Sequence, residues 1–90
     1  MVTALVLLVV ERGRTNEIAE TIAGIDGVTE VYSVAGQYDL AAVVRVQENE
    51  QLATVVTEKI RSIDGITKSE TLIAFRAYSR YDLETLFSID

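Results

Sequence analysis

The stretch Val34-Ala35-Gly36-Gln37-Tyr38-Asp39-Leu40 holds the residue types best suited to grip a small molecule. Gly36 permits a positive φ or a close approach of ligand to backbone, so its amide and its neighbours could hydrogen-bond one. Tyr38 adds an aromatic face and a hydroxyl. Asp39 supplies a carboxylate that can accept from an ammonium group, a charge-assisted contact stronger than a neutral one. The same residues also suit a plain hairpin turn, with Gly36 and Asp39 shaping it and Tyr38 packing as an amphipathic edge residue. A second pattern lies in Lys68-Ser69-Glu70-Thr71, where Ser69 and Thr71 share one face of a strand and their hydroxyls could hold a carboxylate. Hydroxyls so placed equally serve cross-strand hydrogen bonds or solvent.

Much other chemistry is absent from the sequence. Its 90 residues contain no cysteine, histidine, proline or tryptophan. Without Cys and His there are no disulfides, no thiolate or imidazole metal ligands, no Ser-His or Cys-His nucleophile pair and no imidazole base. We therefore expect neither a metal nor a cofactor, and no enzyme. Glu11-Arg12-Gly13-Arg14 has the wrong spacing for a phosphate-binding glycine loop. Glu17, Glu20, Glu48 and Glu50 lie near expected helix N-termini, where they oppose the macrodipole and read as structural.

Fourteen acidic against eight basic residues give a net charge of −6. No run of Lys or Arg offers the phosphate contacts that supply non-specific nucleic-acid affinity, so direct nucleic-acid binding is not expected. The apolar run from Val2 to Val10 is far short of the roughly 20 residues of a membrane helix. It is also followed by Glu11-Arg12-Gly13, not by a small-residue cleavage site. A cytoplasmic protein, without membrane contact, is the expectation.

The elements that must position these residues follow from periodicity. Val2–Val10 is rich in β-branched residues without polar alternation, a strand buried on both faces. Thr15 or Asn16 can cap a helix with Ile18, Ala19, Ile22, Ala23 and Ile25 on one side, ended by Gly27. Val28–Ala35 alternates as a second strand, and Gly36-Gln37-Tyr38-Asp39 turns the chain into Leu40–Val46, its antiparallel partner. Asn49 can cap a second helix carrying Leu52, Val55, Val56, Lys59, Ile60 and Ile63, ended by Gly65. Thr67–Tyr78 makes a fourth strand, and Tyr81–Ile89 a short terminal helix or turn.

Ile25-Asp26-Gly27-Val28-Thr29 returns 38 residues later as Ile63-Asp64-Gly65-Ile66-Thr67, and Ile22 maps onto Ile60. The chain is thus two βαβ halves joined by a hairpin, a single α+β domain over residues 1–90. Its order is the ferredoxin-like βαββαβ, a four-stranded antiparallel sheet with two helices on one face. Two helices leave the other face uncovered, and soluble monomers seldom expose contiguous apolar patches beyond a few hundred Å². A dimeric α/β sandwich, packed sheet face to sheet face, is expected, and it would support so small a core. Tyr78, Tyr81 and Phe87 form an aromatic tail expected to dock on that dimer.

The hairpin Val34–Leu40, followed by an apolar strand, resembles the Gly-x-Tyr-Asp hairpin of the Lrp/AsnC (feast/famine) transcription regulators. The exit Ile63-Asp64-Gly65-Ile66 into Ser69-Glu70-Thr71-Leu72-Ile73 is similar to that family's last strand. The resemblance covers nearly the whole chain, but only the ligand-sensing half of the usual regulator, which implies a stand-alone effector-binding (RAM-like) domain without the N-terminal helix-turn-helix. It further implies a homodimer that can assemble into octamer- or decamer-like rings. The effector would be an amino acid or related metabolite, bound in a cleft between dimers. Carried over by position, the site comprises Gly36, Tyr38 and Asp39, with Gln37 at the motif's variable position and Ser69 and Thr71 matching less specifically. In the pose we favour, Asp39 receives the α-ammonium group while amides near Gly36 and the hydroxyls of Ser69 or Thr71 hold the carboxylate.

The function expected is thus effector binding and oligomerisation in transcription regulation. Two alternatives stand beside it. One is a modulator that co-assembles with full-length regulators of the family and has no ligand of its own. The other is a small dimeric ferredoxin-like enzyme, a class that commonly relies on a His, Trp or Asn in its pocket.

Overall fold

The computed structural model describes residues 1–78 and residue 80. Four strands and two helices follow in the order expected: β1 (Val2–Val10), α1 (Thr15–Ala23), β2 (Val28–Ser33), β3 (Leu40–Val46), α2 (Asn49–Ala53, running on as π-helix over Thr54–Ile60) and β4 (Ile66–Ala74). All pairings are antiparallel, and the strand order β2-β3-β1-β4 is that of a ferredoxin-like α+β sheet.

Burial alternates along the central strands. In β1 the even-numbered Ala4, Val6, Leu8 and Val10 are buried beneath the helices, and Leu40, Ala42 and Val44 of β3 lie beside them. Ile18 and Ile22 of α1, with Leu52, Val55 and Ile60 of the second helix, complete the core from above. The odd-numbered side of β1 faces the other way. Leu5 is 40% exposed there, opposite Leu72 of β4, which is 43% exposed. Burial of β1 on both faces is therefore corrected: within one chain only the helix-covered face is buried.

The internal repeat is structural. Gly27 and Gly65 both adopt positive φ, +99° and +101°, and the carbonyl of each accepts a strand-end amide, from Arg45 and Glu11 respectively, at 2.8 Å. Each glycine also admits a close neighbour. A Cβ on Gly27 would come within 3.0 Å of Val46, and one on Gly65 within 2.9 Å of Ile18. Arg14 ties the start of α1 to this second turn, donating to Glu17, Glu11 and Asp64.

Several boundaries differ from those expected. α1 is flanked by Arg14, with no side-chain cap, so Thr15 and Asn16 fall inside it. It stops at Ala23 with Gly24 following, which leaves Gly27 to shape the next turn. The second helix is capped by Glu48 and Gln51 in a reciprocal pair rather than by Asn49. Its π-helical part is wider than an α-helix. Thr54 and Thr57 donate their hydroxyls to the carbonyls of Glu50 and Ala53, back-bonding of the kind that loosens the regular ladder. Val55 and Ile60 consequently both reach the core while Lys59 turns out to solvent. β2 ends at Ser33 instead of Ala35, and β4 runs over Ile66–Ala74 instead of Thr67–Tyr78. The expected terminal element Tyr81–Ile89, and with it Tyr81 and Phe87 of the aromatic tail, lies outside the described residues. Tyr78 is described and is exposed.

Candidate functional site

The β2–β3 hairpin closes where the Val34 amide donates to the Asp39 carbonyl at 3.0 Å. The Asp39 amide donates to the Leu8 carbonyl at 2.8 Å, extending the β3–β1 ladder one residue beyond Leu40. The Asp39 side chain then accepts from the Val10 amide through Oδ2 at 2.9 Å. Asp39 is thus an anchor before it is anything else, satisfying a backbone donor at the end of β1. Between these fixed points Ala35, Gly36 and Gln37 are exposed. Gly36 has φ +126°, and its missing side chain would point into open space.

Tyr38 ties the hairpin to the far edge of the sheet. Its hydroxyl donates to Oε1 of Glu70, and the Lys68 ammonium sits 5.7 Å from the centre of its ring, within cation–π range. The hydrogen bond to Glu70 holds the phenol proton on more firmly than usual, raising the Tyr38 pKa. Glu70 and Lys68 pair with Leu7 and Val9 across β1–β4, so both lie on the face the helices leave open.

Ser69 and Thr71 do not join this cluster. They pair with Leu8 and Val6, whose side chains are buried on the helix side. Thr71 lines an open groove of about 590 Å³ between β4 and the second helix, and Ser69 a smaller one of about 390 Å³ with Arg61. Strand alternation puts the two hydroxyls on one face, as expected, but that face is opposite to the one Tyr38 crosses. One protomer therefore does not present the hairpin residues, Ser69 and Thr71 as a single cleft. The partners that sequence reasoning missed are Glu70 and Lys68. Their signal was the same period-two alternation, read on the other face.

Two further features bound what the chain can do. A cavity of about 510 Å³ lies at the opposite end of the sheet, beside Gly27, Arg45 and Glu50. Among the described residues, no three His, Cys, Asp or Glu side chains group so as to hold a metal ion, and no helix is long and apolar enough to cross a membrane. The hairpin presents exposed backbone, an aromatic ring and one carboxylate, Asp39, on a loop braced by Glu70 of β4, an arrangement suited to binding.

Comparison with known proteins gives these features a context. A family model described as the Lrp/AsnC ligand binding domain matches residues 3–83. An uncharacterised HTH-type transcriptional regulator of Pyrococcus horikoshii, PH1916, is 42% identical over 59 residues, which cover 66% of this chain and 39% of the relative. The chain thus spans less than half the length of that regulator. The crystal structure of TTHA0845 from Thermus thermophilus superposes with a TM-score of 0.83 at 49% identity, covering 89% of this chain and all of that one. A feast or famine regulatory protein from M. tuberculosis, solved in complex with L-methionine, shares the fold with a TM-score of 0.71 at 22% identity. That match covers 89% of this chain and 54% of that one.

Proposed function

The chain belongs to the Lrp/AsnC family through its ligand-binding domain, and from that premise we propose that it binds an amino acid or related metabolite and signals occupancy through its assembly. The observation that carries this reading is the hairpin itself. Gly36 stands in open space, ahead of a Tyr38 braced by Glu70 and an Asp39 anchored on Val10. A ligand meeting such a loop finds its polar groups already ordered, which lowers the entropic cost of binding.

In the reading we favour, amides around Gly36 and Gln37 hold one end of the amino acid, and the Asp39 carboxylate receives its ammonium group through the oxygen facing away from Val10. Ser69 and Thr71 contribute only from a neighbouring copy, because within the chain they project to the opposite face. The open face, apolar where Leu5 stands opposite Leu72, packs against a second copy and makes the homodimer on which larger rings can be built. The domain acts in the cytoplasm without turning over a substrate. It influences DNA through regulators of its family rather than by its own contacts, in keeping with its net charge of −6. The methionine complex of the mycobacterial protein that shares this fold supports the ligand class.

Titration calorimetry against each of the twenty amino acids, L-methionine included, tests the reading. Sedimentation run with and without ligand reports the assembly. We expect saturable binding by a subset, with a change in assembly on saturation. A chain that binds none at millimolar concentration is not a sensor, and co-assembly with full-length regulators would then be the better account.

A further inference from the structure

We propose that Lys68 supplies the positive charge for the carboxylate of the bound amino acid, acting from beside Tyr38 in the same copy; the inference rests on amino-acid binding at the hairpin. An amino acid brings two opposite charges to that loop, and Asp39 answers only the ammonium group. The hydroxyls expected to meet the carboxylate, those of Ser69 and Thr71, follow Leu8 and Val6 to the helix-covered face. Backbone amides near Gly36 can donate to an anion but carry no formal charge. An anion approaching a chain of net charge −6 is repelled at long range, so a cation at the loop is needed to hold it.

The structure sets Lys68 in that position. Its Nζ lies 5.7 Å from the centre of the Tyr38 ring, and the hydroxyl of the same ring donates to Glu70, which fixes the ring at its far end. The register accounts for both contacts. Lys68 pairs with Val9 and Glu70 with Leu7, so the two side chains share a face and the lysine stands nearer the end of β1 where Asp39 is anchored on Val10. Arg14 and Arg45 are committed to carboxylates, whereas the Lys68 ammonium joins no ion pair among the described residues. Glu70, the carboxylate two residues along, is taken up by the Tyr38 hydroxyl. A cation–π contact at an exposed site is weak, and the flexible stem of a lysine lets the ammonium leave the ring for a stronger acceptor without any change in the backbone. Lys68 thus reads the acid group and Asp39 the amine, which makes the loop selective for zwitterions over amines or amides.

Titration calorimetry on the full chain tests this, with the tightest binder among the twenty amino acids and its carboxamide as probes. The parent should prefer the acid roughly tenfold, the factor expected of one charge-assisted hydrogen bond. Lys68→Met should weaken the acid by about that factor and leave the amide unchanged, abolishing the preference, while Lys68→Arg should retain it. Lys59→Met removes the same charge beside the cavity at the opposite end of the sheet and should change neither affinity. Lys68 is exposed, and should Lys68→Met nevertheless fail to fold, Lys68→Gln gives the same comparison. An undiminished preference in the Lys68 variant, or an equal loss in Lys59→Met, would overturn the proposal and leave amino-acid binding standing. A parent that binds none of the twenty would overturn both.

Discussion

Removing the Asp39 side chain separates the two roles that this residue holds. The Val10 amide donates to Asp39 Oδ2 at 2.9 Å, and Val10 is only 7% exposed, so little water can replace the lost acceptor. A hydrogen bond to a charged group contributes about 1.5–3 kcal/mol, and an orphaned donor carries a comparable penalty, so Asp39→Ala should destabilise the fold by about that amount. Asp39→Asn keeps an acceptor oxygen while losing the charge, and should cost roughly half as much. Urea denaturation followed by far-ultraviolet circular dichroism, at one fixed protein concentration, measures both; in a domain of this size each kcal/mol moves the melting midpoint by about 4–8 °C. The anchor is refuted if Asp39→Ala stays within about 0.5 kcal/mol of the parent, below what losing such a bond allows. Binding is then read on the Asn variant, whose hairpin stays anchored. Loss of amino-acid affinity there assigns the ammonium group to Asp39, and unchanged affinity removes that role.

Gly36→Ala and Gly65→Ala both place a side chain at positive φ, a strain of about 1–3 kcal/mol. Only at Gly65 does the new methyl meet a buried neighbour, Ile18, at 2.9 Å, so thermal melts should show it the worse of the two by about 1–3 kcal/mol. Equal losses would mean that backbone strain alone decides. The hydroxyls of Tyr38 and Tyr32 donate to Glu70 and Glu30, and each bond raises the phenol pKa above the ordinary 10.0. Because the folded value is the raised one, the stabilisation is complete below the ordinary tyrosine range and is lost as pH climbs through the raised value. Phenolate absorbance should therefore show one of the four tyrosines titrating earlier in Glu70→Gln than in the parent, and superimposable curves would contradict the contact.

The elements were legible because their signals are local. Val2–Val10 and Leu40–Val46 are strands with the bounds that composition predicts, and the repeated Ile-Asp-Gly marks two turns of the same geometry. Helix caps were less so. Arg14 offers no side-chain cap and Glu48 shares its role with Gln51, so the nearest Thr or Asn was a poor guide. The π-helical turns were hidden in a stripe that reads as ordinary α-helix, in which Lys59, counted with the apolar positions, turns outward instead. At the candidate site, the hairpin was found from its residue types and the shared face of Ser69 and Thr71 from alternation. Which face that was depends on the register between β1 and β4, whose pairs, such as Val9↔Lys68 and Thr3↔Ala74, join opposite ends of the chain. No local pattern encodes that register, and for the same reason the bracing of Tyr38 by Glu70 was invisible.

The central claim, a sensor whose hairpin meets its ligand between copies, is tested most directly by a crystal structure grown with a pool of the twenty amino acids. Our account predicts a dimer packed through the open face of the sheet, with one amino acid against Gly36–Asp39 of one copy and residues of a neighbour closing over it. A monomeric chain with its open face bare, or an amino acid bound away from an empty hairpin, would contradict it.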